Sequence, residues 1–461
     1  MFSKTQKNST SITDMTVGNP YKLIFMFSIP LLIGNVFQQL YNMVDSIVVG
    51  NYVGEKALAA VGTGFPIIFM MSALFIGIGT GATVMISQFF GAKDYDSINE
   101  TVSTIYTTMI IGVIPLTIIG IFISRPLLTL MNVPNDGTLD MAATYMVVIF
   151  IGMLFTFGFN VNSGILQGLG DSRSSLIFLL IATIVNIVLD IVFTVFFGWG
   201  VFGVAVATII SQFISWVVGI YFINKHYNFI QIKVFSFGFD KALFSRAIKL
   251  GIPIGIQQAL FSVGIMVMQT LVNSYGSTFI AGFNGANKID TFAFMPIQSF
   301  TNAVTTYVGQ NIGASKIDRV KLGTRAGLVL SVATSVIMCI IIYPLSGILM
   351  RMFGSNPDMV QAGTVYLHTV LPFYSLLAIW FIFASVLRGA GSTIVPMIAS
   401  FVGLWLARIP SAYLLSHFFG KEYIFFSYTI GWIFGIAITY TYYKLGHWKK
   451  KCLSNQNTIA S

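Results

Sequence analysis

Two aspartates fall where carboxylates are costly. Asp45 lies in an apolar run that ends at the Gly50–Gly54 turn, and Asp190 in another that ends at the Phe197–Gly203 turn. An ionised side chain inside a hydrocarbon layer costs several kcal/mol unless it is paired or wetted, so each asks for partners. Asn186 precedes Asp190 by four residues, which places both on one helix face. Thr208 follows the Phe197–Gly203 turn by about five residues. At ~1.5 Å rise per residue, Asp45, Asp190 and Thr208 come to a similar depth. Tyr145, on another run, reaches a comparable level. Two carboxylates, an amide and a hydroxyl make an oxygen-rich pocket for a hard cation such as Na⁺. The same carboxylates can instead carry protons, because burial and a like-charged neighbour both favour the neutral acid. The competing reading is structural, with these groups tying helices together. Pro30 lies fifteen residues before Asp45 on the same run, and its missing N–H weakens the helix there.

A second group of charges lies further on. Lys288 and Asp290 share one apolar run and Arg408 lies in another. At i and i+2, Lys288 and Asp290 do not face each other on one helix. A cluster of Lys288, Asp290 and Arg408 is either functional or a structural ion pair, Asp290–Arg408 or Asp290–Lys288. His368 reads as a packed or hydrogen-bonded residue rather than a proton relay.

The elements that must position these groups are long apolar segments. Among 461 residues 56% are hydrophobic and only 9% charged, with a mean hydropathy of +0.83. A soluble domain carries roughly 25% charged residues. Six runs long enough to cross a bilayer fall between residues 21 and 224, and six more between 247 and 444. The division is a tail at 1–19, a first lobe at 20–224, a polar connector at 225–246, a second lobe at 247–445 and a basic tail at 446–461. With the N-terminus placed inside, nineteen of the 25 Lys and Arg residues fall in cytoplasmic segments and four outside. That bias expects both termini in the cytoplasm. The net charge of +10 therefore reports orientation, and nucleic acid is not an expected partner. Cys339 and Cys452 suggest neither a disulfide framework nor a metal site.

The two halves repeat each other. Pro30 aligns with Pro253, each followed by a Gln pair, and Gly54 and Ala59 align with Gly276 and Ala281. Gln88, Gly91 and Ala92 align with Gln310, Gly313 and Ala314. Leu166, Gly168 and Gly170 align with Leu387, Gly389 and Gly391, and Phe197-Gly198 with Phe419-Gly420. An even number of spans per half makes this a parallel repeat, and two such lobes enclose a central cleft. The expected fold is an all-α integral membrane protein of twelve transmembrane helices in two six-helix lobes. Gly77, Gly79 and Gly81 lie in an apolar run, where small residues let helices approach; they are not a nucleotide loop. Walker A, His-Glu-x-x-His and Gly-x-Ser-x-Gly patterns are all missing, which argues against an ATP-driven pump or a membrane hydrolase. No enzyme and no cofactor are expected.

Together these features resemble the multidrug and toxic compound extrusion (MATE) family over nearly the whole chain. The resemblance rests on twelve spans in two lobes, Pro-x₁₄-Asp in the first span and Asn-x₃-Asp in the fifth. It implies that Asp45, Asn186, Asp190 and Thr208 form the cation-coupling cluster of the branch with an acidic N-terminal lobe. It further implies that Tyr145 belongs to the surrounding network and that Pro30 is the bending point. The implied activity is efflux of lipophilic or cationic compounds in exchange for Na⁺ or H⁺, by a monomer in the cytoplasmic membrane surrounded by lipid. A flippase for a lipid-linked or anionic lipid is the alternative within the same superfamily. Other members have acidic residues in spans 7 and 10; here span 7 offers Gln257, Gln258, Gln269 and Asn273, and span 10 has no carboxylate.

Overall fold

The computed structural model describes residues 12–234 and 236–449. Lys4, Lys7, Lys450, Lys451 and Cys452, and with them most of the two expected tails, lie outside the described residues. Fifteen α-helices account for nearly all of the described chain, with no strand among them. In a bilayer only helices and closed barrels satisfy every backbone donor and acceptor, so an apolar chain of this kind has few other choices.

In the first half these are α1 (Pro20–Val48), α2 (Glu55–Ala92), α3 (Tyr95–Leu130), α4 (Thr138–Ile151), α5 (Met153–Leu169), α6 (Ser172–Ile191) and α7 (Gly200–His226). In the second half they are α8 (Lys241–Asn273), α9 (Ser277–Gly313), α10 (Ile317–Arg351), α11 (Pro357–Val370) and α12 (Tyr374–Gly389). The last three are α13 (Ile394–Phe401), α14 (Ile409–Phe419) and α15 (Phe426–Leu445). Counting broken helices as one span gives twelve crossings. Ten segments among the described residues are long and apolar enough by themselves, and α4 with α5, bent by 52° at Gly152, makes an eleventh. The twelfth, α9, has 37 residues but spends several of them on Asn284, Asn287, Lys288 and Asp290.

Packing divides the chain into two compact units. Among the described residues, unit 1 takes 12–14 and 33–255, and unit 2 takes Met15–Leu32 and 256–449. The first half of α1 therefore groups with unit 2 and the first half of α8 with unit 1. Pro30 and Pro253 each lie within three residues of the point where their helix passes from one unit to the other. Helix α1 continues through Pro30 without a break.

The units have matching interiors. In unit 1, α2 packs on α3 and α5; in unit 2, α9 packs on α10 and α12. A Cβ on Gly168 would stand 2.9 Å from the Thr83 carbonyl oxygen, and one on Gly389 2.6 Å from that of Thr305. Residues with positive φ recur at the repeat offset: Gly54 with Gly276, Lys93 with Ser315, Gly170 with Gly391 and Gly198 with Gly420. The duplication read from sequence is thus also a duplication of turns and helix contacts. The glycine run of α2 does what small residues do in membranes: a Cβ on Gly77 would meet Gly251 O and Gly255 N of α8, each at 2.4 Å.

Candidate functional site

Helix α1 brings Tyr41 and Asp45 to one face, and α6 brings Asn186 and Asp190 to one face, both by i, i+4 spacing. The two faces meet inside unit 1. The Asp45 and Asp190 carboxyl groups come together around the Asn186 amide. With its amide oriented to satisfy both neighbours, Asn186 Nδ2 donates to Asp45 Oδ1 at 2.9 Å and to Asp190 Oδ2 at 3.2 Å. Asn186 and Asp190 are fully buried. Two carboxylates cannot share a hydrogen bond while both are ionised; a proton or a cation has to lie between them.

Helix α7 contributes Thr208, but one step removed. Its Oγ1 accepts from Tyr41 Oη at 3.3 Å and donates to Val204 O at 3.0 Å. Thr208 therefore joins the carboxyl pair through Tyr41. Tyr145 of α4 lies beside both carboxylates and packs against Val49, Ala57, Val201 and Val204. The bend between α4 and α5 lets this helix reach α7: a Cβ at Gly152 would stand 2.2 Å from Ile209 Cγ1, next to Thr208.

Three buried acceptors on the same faces have no hydrogen-bond partner among the described residues. They are Asp190 Oδ1, Thr194 Oγ1 one turn beyond it, and Gln212 Oε1 one turn beyond Thr208. Asp190 Oδ1, an unsatisfied oxygen of the carboxyl pair itself, suits a hard cation or a proton. No group of three His, Cys, Asp or Glu side chains gathers among the described residues, so the donor set is not that of a transition metal. A π-helical turn follows each carboxylate, Val49–Val53 after Asp45 and Val192–Phe196 after Asp190. Such turns are rare and concentrate at functional sites.

Unit 2 treats its carboxylate differently. Tyr374 Oη of α12 donates to Asp290 Oδ1, and Tyr366 Oη of α11 donates to Asn287 Oδ1 at 3.5 Å, on the same helix as Asp290. Tyr366 is linked in turn to Tyr428 of α15, and Tyr428 to Arg408. The Arg408 guanidinium lies 3.4 Å above the Tyr428 ring, at the end of a π-helical turn, Val402–Arg408. Asp290 and Arg408 do belong to one cluster, but with tyrosines between them. Neither ion pair of the structural reading, Asp290–Arg408 or Asp290–Lys288, forms: the ion pairs among the described residues are Lys56–Asp136, Arg125–Asp140 and Lys321–Asp318. Lys288 stays outside the cluster, exposed on α9, because two residues of helix turn it about 200° away from Asp290. His368 is a packed residue, as expected. Its ring stacks on Tyr343 at 3.9 Å, and Nε2 lies 2.8 Å from Ser346 Oγ and 3.1 Å from Tyr343 O.

Sequence reasoning missed Tyr41, although its i, i+4 relation to Asp45 was there to be read. It also missed Tyr366, Tyr374 and Tyr428, which no spacing distinguishes among 19 tyrosines.

Comparison with known proteins places this geometry in context. The MatE family model matches residues 30–192 and 253–414, one match in each half of the chain. The chain is 30% identical over 441 residues to a probable multidrug resistance protein, YpnP, of Bacillus subtilis, covering 95% of this chain and 97% of that one. It is 28% identical to the probable multidrug resistance protein NorM of Thermotoga maritima, covering 95% of each. Among solved structures, an outward-facing multidrug resistance MATE family transporter of the MOP superfamily superposes with a TM-score of 0.89 at 22% identity. That match covers 96% of this chain and all of the other.

Proposed function

The chain belongs to the multidrug and toxic compound extrusion family of membrane transporters, and we propose that it is an antiporter that expels lipophilic or cationic compounds in exchange for H⁺ or Na⁺. One observation carries the proposal: Asp45 of α1 and Asp190 of α6 meet carboxyl to carboxyl, with Asn186 donating to both. Such a pair is stable in a low-dielectric interior only with a positive guest, and it titrates as a unit.

In the proposed cycle the guest enters when the pair faces the outside. Its loss to the cytoplasm leaves two ionised groups repelling each other across the α1–α6 contact. That repulsion pushes on α1, and Pro30 supplies the weak point at which α1 bends. Tyr41 carries the displacement to Thr208, and Tyr145 lines the same space. The relatives named for multidrug resistance support this cargo class, and the cytoplasmic membrane with both termini inside is the setting the charge bias supports. The flippase alternative gains nothing from unit 2, where Lys288 lies apart and Arg408 is engaged by Tyr428.

The test is dye efflux from everted vesicles with Na⁺ and pH gradients imposed separately. Wild type should expel dye against its gradient under at least one of them. Asp45→Asn should fold and expel none; undiminished efflux in that variant would remove the proposed role.

A further inference from the structure

One face of α9 is polar, and the transport cycle above gives it no task. Asn284, Lys288 and Gln298 are exposed on this face, and Thr291 and Asn302 are half-buried on it. At roughly 100° per residue all five fall within about 80° of the helix circumference. From Asn284 to Asn302 the stripe runs about 27 Å, close to the ~30 Å of a hydrocarbon core. The opposite face, with Phe283, Ala286, Ile289, Ala293 and Ile297, is buried in the core of unit 2.

The neighbouring helix α10 shows how a lipid-facing surface is built in the same unit. Along its span the large exposed side chains are apolar: Val329, Val336, Ile337, Ile340 and Ile348 among them. An amide or an ammonium presented to lipid at such depth costs several kcal/mol, and polar groups in spans mark water-filled paths instead. The α9 stripe is therefore turned to water. The duplication adds that the fold does not require this polarity. At the repeat offset the five residues correspond to Gly62, Pro66, Phe69, Ile76 and Thr80 of α2, a face with one hydroxyl and no charge.

Lys288 is the single charge on the stripe. It enters no ion pair among the described residues. A lysine on an open aqueous surface needs no partner. In a water-filled space walled by hydrocarbon and protein, the same charge is screened less and draws anions to it.

Building on the antiport reading above, we propose that Lys288 selects the cargo, its ammonium pairing with a carboxylate on a lipophilic substrate. Asn284 lies one turn before it and Thr291 one turn after it on the same face. The Thr291 hydroxyl donates to Asn287 O at 2.9 Å, which leaves its oxygen free to accept from the bound compound. The substrate class is thus a lipophilic compound with one carboxylate. A compound that is only cationic meets a like charge here, and a lipid-linked pyrophosphate would ask for more cations than the one the stripe carries.

The test compares tetramethylrhodamine bearing a free carboxylate with its methyl ester. Initial rates of uptake into everted vesicles are measured under the driving gradient, with the membrane potential clamped by K⁺ and valinomycin. Wild type should take up the acid with a KM about fivefold to tenfold below that of the ester, as expected for one charge-assisted contact. Lys288→Gln should erase the difference by raising the KM of the acid, at unchanged maximal rate and unfolding temperature. Lys288→Arg should keep it. Asn284→Asp, which sets a competing carboxylate one turn from Lys288, should also erase it. Asp45→Asn should abolish uptake of both dyes, because it removes coupling rather than recognition. Equal KM values in wild type, or a preference for the acid that survives Lys288→Gln, would overturn the proposal and leave the antiport reading standing. Wild-type vesicles that take up neither dye would overturn both.

Discussion

Asp45 with Asp190 in unit 1 and Asp290 in unit 2 are carboxylates in the interiors of two repeats of one ancestral half, yet they are satisfied by different means. Asp290 receives a hydroxyl donor from Tyr374, and its distant counter-charge, Arg408, rests on the ring of Tyr428. Asp290 thus has a donor in place, while Arg408 Nε is buried without a hydrogen-bond partner among the described residues. The unit 1 pair has one amide between two acids and an unsatisfied oxygen on Asp190. It is completed only by a guest. The same starting scaffold has therefore yielded a carboxylate satisfied by a tyrosine donor in one half and an open carboxyl pair in the other. An open network is the kind that can bind and release.

The variants that probe this contrast should rank as follows. Asp45→Asn and Asp190→Asn remove half of the pair and should abolish ion-coupled efflux in everted vesicles with little loss of thermal stability. Asp290→Leu should do the reverse. It strands the Tyr374 hydroxyl, at about 1–3 kcal/mol for a buried group left unsatisfied, and should lower the unfolding temperature in detergent. Asp290→Asn, which keeps an acceptor, should cost less. Efflux lost in Asp290→Asn at unchanged unfolding temperature would erase the contrast and make unit 2 a transport site as well.

Smaller effects sharpen it. Tyr428→Leu removes the ring under Arg408 and should destabilise by roughly 1–2 kcal/mol, readable in the same thermal melt. Tyr41→Phe cuts the link to Thr208 and should cost about 1 kcal/mol while slowing efflux. Lys56→Ala should change neither efflux nor the unfolding temperature at pH 7, because its ion pair with Asp136 is exposed. The Asp136 carboxyl is held down to about 2 by Thr138 and then by Lys56. Whatever this loop gains is fully present at neutral pH and is lost only as pH falls from the ordinary carboxylate value, 3.8, toward 2.

Much of this was readable from residues alone, for definable reasons. Span length, the internal repeat and the Asn186–Asp190 face follow from periodicity, which the helix imposes on the sequence. The meeting of Asp45 with Asp190 follows from depth counting along two helices. Tyr41 was within reach of the same counting. The tyrosine bridge between Asp290 and Arg408 was not, because it joins three helices and aromatic residues are everywhere in such a chain. Nor were the π-helical turns beside Asp45, Asp190 and Arg408, which leave no compositional trace. That Lys288 and Asp290 do not share a face was legible in their i, i+2 spacing, and the exposure of Lys288 agrees with it.

The most direct measurement is the infrared carbonyl stretch of protonated carboxyl groups in the purified protein across a pH titration. A proton shared by Asp45 and Asp190 predicts a band that disappears in either Asn variant, persists in Asp290→Asn, and, where Na⁺ competes for the site, is displaced by it. A spectrum unchanged by Asp45→Asn and by Asp190→Asn would contradict the account.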